Sequence, residues 1–312
     1  RFHSSSSVPD CLAPPDVTHV GSVMTKPFPG AFPTKRCLIF FDWDDTLCPT
    51  TWIRRILNDH MEEKAKWVAR DGTSQCDWRF EIPAWFGQPL PDIPDVHESI
   101  EQLQRAAIDT INTAQALGVV CIITNSVSGW VESTTNKWLP MLKQYVHGQG
   151  ARPPIQVLYG QQVGAALGQS SGLEFVDGLR DLLWWKKAAM LQALGQVDDL
   201  YRVGSGRAMS GDLVNVLSVG DSDAEMKAAW LATHAARSGG LPQGAKRHRR
   251  PLSAPPGPNP VARPWVKTVK LWEAPSVQQL VEQLDGLKRC LPQLVAAREH
   301  VHLEPRDFGA PR

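Results

Sequence analysis

Apolar runs alternate along this chain with amphipathic stretches, and the alternation predicts a parallel sheet covered by helices. Cys37-Leu-Ile-Phe-Phe41 is apolar at every position, which suits a strand buried on both faces. Val119-Val-Cys-Ile-Ile123, Ile155-Gln-Val-Leu-Tyr159, Leu213-Val-Asn-Val-Leu-Ser-Val219 and Val266-Lys-Thr-Val-Lys-Leu271 are the next strand-like runs. Between the first two, apolar residues recur at helical spacing from Trp52 through Ile53, Ile56, Leu57 and Met61 to Trp67. They recur again from Ile100 through Leu103, Ala107, Ile108, Ile111 and Ala114 to Leu117, a helix opened by Pro94-Asp95 and stopped by Gly118. Further helices are predicted over Gly129 to Leu139, from Asp181 through Leu191, after Glu225, and from Ser276 to Leu291. Helices feeding buried strands make βαβ crossovers, so the expected fold is α/β, a three-layer sandwich with a Rossmann-like parallel sheet from strands near 37, 119, 155, 214 and 267.

The intervening stretches have loop chemistry. Residues 1–35 are rich in Ser and Pro and are expected to form a disordered arm ahead of a domain over 36–292. Residues 71–96 carry Gly72, Pro83, Gly87, Pro89, Pro91 and Pro94 among Trp78, Phe80, Trp85 and Phe86. Such a loop either pins itself to the core by its aromatics or forms a lid, and residues 48–96 are the candidate cap insertion. Residues 160–181 are rich in Gly, Ser and Gln, 235–264 read as a disordered insert, and 293–312 as a C-terminal tail. Arg1 is not Met, which leaves open a targeting segment ahead of it.

Lys and Arg total 33 against 32 Asp and Glu, for a formal net charge of +1, so whole-chain charge supports neither a nucleic-acid nor a membrane-surface partner. No apolar run approaches the roughly 18 residues of a membrane span. The 6 cysteines have no CxxC spacing, and Cys37 and Cys121 fall inside strand runs, which reads as reduced core thiols of an intracellular, cytoplasmic protein. Lys246-Arg-His-Arg-Arg250 is either a solvated loop or a nuclear-localisation or polyanion patch. Gly168-Gln-Ser170-Ser-Gly172 matches a nucleophile-elbow pattern but lacks the preceding strand, and the histidines lack the spacing of a zinc site.

The densest chemistry lies where the first apolar run ends, at Asp42-Trp43-Asp44-Asp45-Thr46-Leu47. Acids at i and i+2 of an extended chain point to one side and repel unless a cation or shared proton relieves them. Read from these residues alone, the segment is either a magnesium site suited to phosphoryl chemistry or an acidic turn.

Asp42-x-Asp44-x-Thr46-Leu47 after an apolar strand resembles the first motif of the haloacid-dehalogenase-like phosphohydrolases. Three further segments resemble that family's later motifs in order: Thr124-Asn125 ending the second strand, a lysine near a helix start, and Gly220-Asp221-Ser222 followed by Glu225. Lys186 or Lys187 can fill the third, with Lys186, after Trp185, preferred. The resemblance implies Asp42 as nucleophile and Asp44 as general acid/base. It further implies Thr124, Asn125 and Lys186 around the phosphoryl oxygens, and Mg2+ held by Asp42, Asp44 through its backbone carbonyl, and Asp221. Thr46 and Glu225 would support. The expected function is Mg2+-dependent hydrolysis of a phosphate ester, on a small molecule or a phosphoprotein, through an aspartyl-phosphate. The alternatives are a non-catalytic binding module and a phosphotransferase on the same scaffold. Trp43 departs from the aliphatic residue often found between the two acids.

Overall fold

A computed structural model of the chain describes residues 37–70, 85, 88–148, 154–171, 179–205, 213–237 and 264–308. The expected arm, residues 71–84, 86 and 87 of the expected lid, and Lys246–Arg250 lie outside the described residues. In chain order the elements are β1 (Cys37–Phe41), α1 (Thr50–Arg70), α2 (Pro94–Leu117), β2 (Val119–Thr124), α3 (Trp130–Lys137), a 3-10 turn at Pro140–Leu142, α4 (Lys143–His147) and β3 (Gln156–Tyr159). They continue as α5 (Gly160–Ser171), α6 (Leu179–Ser205), β4 (Asn215–Gly220), α7 (Asp223–Arg237), β5 (Trp265–Lys270), α8 (Val277–Ala296), β6 (Val301–Leu303) and a 3-10 turn at Pro305–Phe308.

The strands form one parallel sheet in the order β3-β2-β1-β4-β5-β6. Its middle strand explains its composition. Cys37, Ile39 and Phe41 face one core with side chains from α1, α2, α3 and α8, while Leu38 and Phe40 face a second with α6 and α7. Both faces of β1 are dry, so every position is apolar. The result is a Rossmann-like three-layer sandwich.

Local signals set the boundaries. The residue before Pro94 is extended, as a proline demands, and Pro94 occupies the first turn of α2. At the far end a Cβ on Gly118 would lie 2.4 Å from the Cys37 carbonyl oxygen, so only glycine lets α2 turn this tightly into β2 beside the start of β1. Ser276 caps α8 through a capping box with Gln279.

Two segments depart from the sequence expectation. Gly160–Ser171, in the Gly-, Ser- and Gln-rich stretch, is helical, with Val163 buried in the second core and Gly164 seated against the Trp185 ring. Val301–Leu303, in the expected tail, adds a sixth strand beside β5, and α8 runs past 292 to Ala296. Cys37, Cys48, Cys121 and Cys290 are free thiols, the first three buried. No helix among the described residues is long and apolar enough to cross a membrane.

The chain builds outward from β1 through β2 to β3, then returns to the other side of β1 for β4, β5 and β6. The strand order therefore reverses between β1 and β4. Open α/β sheets place ligand crevices beyond the carboxyl ends of the strands at such a reversal.

Candidate active site

Asp42 and Asp221 are the residues that follow β1 and β4, so they flank the reversal. Phe41 is in register with Val219, and the Asp42 N–H continues the ladder by donating to the Val219 carbonyl at 2.9 Å. Carboxylate oxygens of Asp42, Asp221 and Glu225 lie within 4.8 Å of one another. Glu225 comes from the first turn of α7, and it fits because Gly220 has no side chain. A Cβ there would lie 2.6 Å from the Glu225 Cγ.

Lys186 closes the group from α6. Its ammonium, 2% exposed, donates to Asp42 Oδ1, to Glu225 Oε1 at 2.9 Å and to the Ile123 carbonyl at 2.9 Å. Those contacts use its three protons. Lys187 turns away, its ammonium 5.5 Å from the centre of the Trp184 ring. The lysine that the sequence left between two positions is therefore Lys186 in space.

Three buried or half-buried acids against one ammonium leave excess negative charge. Burial raises the Asp42 carboxyl well above its ordinary value, Lys186 works against this, and Glu225, Asp44 and Asp221 push it further up. Asp221 is pushed up to about 7 by burial and by the charges of Glu225 and Asp45. Burial acts to raise Glu225 as well, but Lys186 and the Ser222 hydroxyl hold it below its ordinary range. Burial acts to lower Lys186, and Asp42 with Glu225 overcomes it, so the ammonium stays charged.

A hard divalent cation fits this donor set. Mg2+ takes oxygen ligands at about 2.0–2.1 Å and is commonly held by one or two carboxylates with waters and phosphate oxygens. Glu225 has Lys186 on one oxygen and the Ser222 N–H and hydroxyl on the other, so it is a brace. Asp42 and Asp221 are the carboxylates whose repulsion a cation would relieve.

Asp44 occupies a separate position in the site. Its Oδ1 accepts from Thr50 Oγ1 at 2.6 Å and Trp130 Nε1 at 2.8 Å; its Oδ2 accepts from Ser126 Oγ at 2.7 Å and Thr124 Oγ1 at 3.3 Å. The turn that presents it is tight. Thr46, Leu47 and Cys48 N–H groups all converge on the Trp43 carbonyl, and Asp45 takes a positive φ of 53°, a conformation that Asp tolerates better than most residues. The Asp45 carboxylate accepts from the N–H and hydroxyl of Thr51, so the start of α1 is bound to both acids. Trp43 points into the core and donates to Thr134 Oγ1 at 3.0 Å, which accounts for the large side chain between the acids.

Of the expected residues, Asp42, Lys186, Asp221 and Glu225 converge on one group, with Asp44 and Thr124 bonded to each other beside it. The Asn125 carboxamide instead donates to the Leu182 carbonyl at 3.0 Å, which ties the end of β2 to α6. The Thr46 hydroxyl is buried without a hydrogen-bond partner among the described residues. Thr50, Ser126 and Trp130 were not singled out in the sequence. Ser126 adjoins the Thr124 motif, whereas Trp130 lies 86 positions from Asp44 and carries no local signal. No family model, curated protein or solved structure matches this chain.

Proposed function

We propose that this chain is a magnesium-dependent phosphatase of the haloacid-dehalogenase-like kind, which hydrolyses a phosphate monoester through an aspartyl-phosphate on Asp42. The observation that carries the reading is the buried ammonium of Lys186 between Asp42 and Glu225, with Asp221 alongside, at the carboxyl ends of β1 and β4. A nucleophilic carboxylate must be fixed, ionised and close to positive charge if it is to meet a phosphate dianion. Lys186 supplies the fixing and one positive charge. When bound by Asp42, Asp221 and the Asp44 carbonyl, Mg2+ would supply the remaining positive charge at the phosphoryl oxygens.

The Asp42 carboxylate forms a bond to phosphorus as the bond to the leaving oxygen breaks. Asp44, held by donors from α1, β2 and α3, gives its proton to that oxygen. In the second step Asp44 takes a proton from the water that attacks phosphorus, and Asp42 is released. Positioned proton transfer of this kind contributes about 10² to 10⁴ in rate. The Thr124 hydroxyl, at the end of the strand beside β1, would meet a phosphoryl oxygen in this reading. Glu225 orients Lys186, and Ser222 in turn orients Glu225.

Phosphate release from p-nitrophenyl phosphate, with and without Mg2+, tests the reading. The expected result is metal-dependent turnover that Asp42→Asn abolishes while the circular-dichroism spectrum stays that of the wild type. Full activity in that variant would refute the assignment of Asp42.

A further inference from the structure

Four side chains donate to Asp44, two to each oxygen, and one of the four is an indole N–H. Oδ1 receives the Trp130 indole N–H and the Thr50 hydroxyl, while Oδ2 receives the hydroxyls of Ser126 and Thr124. An indole N–H donates and never accepts, whereas a hydroxyl can turn and do either. Of the four, the indole is therefore the donor whose proton stays aimed at Asp44 whatever the hydroxyls do.

The indole is itself held fast. Trp130 opens α3, is 7% exposed, and packs edge-on against Trp138 and Trp85 with ring centroids 5.8 and 6.4 Å apart. Trp138 in turn donates its indole N–H to the Gln88 carbonyl at 2.9 Å, so the segment ahead of α2 is tied into the same cluster.

We propose that Trp130 is a positioning residue of the reaction: its indole N–H, with the Thr50 hydroxyl, fixes the Asp44 carboxyl through Oδ1, while Oδ2 meets Thr124 and Ser126. This deepens the phosphatase reading and rests on it. As the bond from Asp42 to phosphorus forms, the bond from phosphorus to the leaving oxygen breaks. The leaving oxygen keeps that electron pair and takes the proton from Asp44. Water then returns a proton to Asp44 as it attacks phosphorus, and the bond from phosphorus to Asp42 breaks.

The test is the dependence of kcat/KM on the leaving group across phosphate monoesters from p-nitrophenyl to alkyl, since kcat/KM reports the first transfer. Trp130→Phe keeps a ring in the cluster and deletes the N–H. It is expected to lose about tenfold or more on alkyl esters and less than about threefold on p-nitrophenyl phosphate, whose leaving oxygen needs little help from an acid. Thr50→Val removes the other Oδ1 donor and is expected to steepen the dependence likewise, which keeps the test decisive where Trp130→Phe fails to fold. Trp138→Phe removes an indole N–H from the same cluster but none from Asp44, and its dependence is expected to match the wild type. An active wild type with the same loss on every ester in Trp130→Phe and Thr50→Val overturns the positioning role alone. A wild type that hydrolyses none of the esters overturns the phosphatase reading and this role with it.

Discussion

Lys186 and Glu225 meet at 2.9 Å beyond the ends of the central strands, both almost wholly removed from water. The pair holds because the same ammonium also reaches Asp42, so the nucleophile candidate and its brace share one cation. A buried charge left alone is far costlier than a buried pair, which makes this contact a sensitive point of the fold.

Lys186→Met should therefore destabilise the protein strongly. Asp42 and Glu225 would both lose their cation, and breaking a buried pair from one side costs about 3–5 kcal/mol. Adding Glu225→Gln to that variant should recover part of the loss by removing one stranded charge. Urea denaturation of the single and double variants measures both, and a single-variant loss under about 0.5 kcal/mol, the range of ordinary surface changes, would contradict the geometry.

Lys187→Met tests the assignment from the other side. Lys187 is half-buried beside Trp184 and, among the described residues, the ion pairs with Asp42 and Glu225 belong to Lys186, so the loss of Lys187 should change stability by no more than about 0.5 kcal/mol and leave phosphate release intact. A large fall in turnover would move the lysine role to Lys187.

Gly220→Ala probes the close approach at the end of β4. The new methyl would meet Glu225 Cγ at 2.6 Å and its Cβ at 3.1 Å, so Glu225 must give way and loosen its hold on Lys186. A destabilisation of about 1–3 kcal/mol is expected, typical of overpacking, with turnover reduced as well. A melting temperature equal to that of the wild type would show that Glu225 moves freely.

The acids should also make metal binding depend on pH. Asp221 lies at about 7 in the fold against an ordinary 3.8, and Asp42 is raised too. A carboxyl raised by folding binds its proton more tightly in the native state, so its stability contribution is present at low pH and is lost as pH rises toward the folded value. Glu225 is shifted the other way, and its contribution is lost only on acidification below its ordinary 4.5. Between pH 5.5 and 8 the metal-free protein should thus lose stability from these groups, and Mg2+, competing with the proton on Asp221, should raise the melting temperature more at pH 8 than at pH 5.5. In Asp221→Asn the gain from Mg2+ should shrink at pH 8. A gain from Mg2+ of equal size at both pH values in the wild type would dissociate the ion from Asp221.

The sequence by itself determined the layers and the placement of most of the chemistry. A strand buried on both faces has to be apolar throughout, so Cys37–Phe41 and Val119–Ile123 announced themselves, and the polar residues just after them marked the strand ends. Asp42, Thr124 and Asp221 could be put at the crevice from that pattern alone. Helix α5 was hidden because its three glycines and two serines carry little helical preference, and it is the packing of Val163 and Gly164 against the second core and Trp185 that holds it. Strand β6 was hidden because three residues supply almost no periodicity, and its identity lies in the backbone ladder to β5.

What only the tertiary structure decided were the contacts between distant residues. Adjacent lysines look alike along the chain, but only Lys186 lies on the face of α6 that meets Asp42 and Glu225. The Trp130 hydrogen bond to Asp44 joins residues 86 positions apart. Hydrophobic pattern is a property of neighbours along a strand or helix, whereas a hydrogen bond between elements depends on how those elements pack, and packing exists only once the chain has folded.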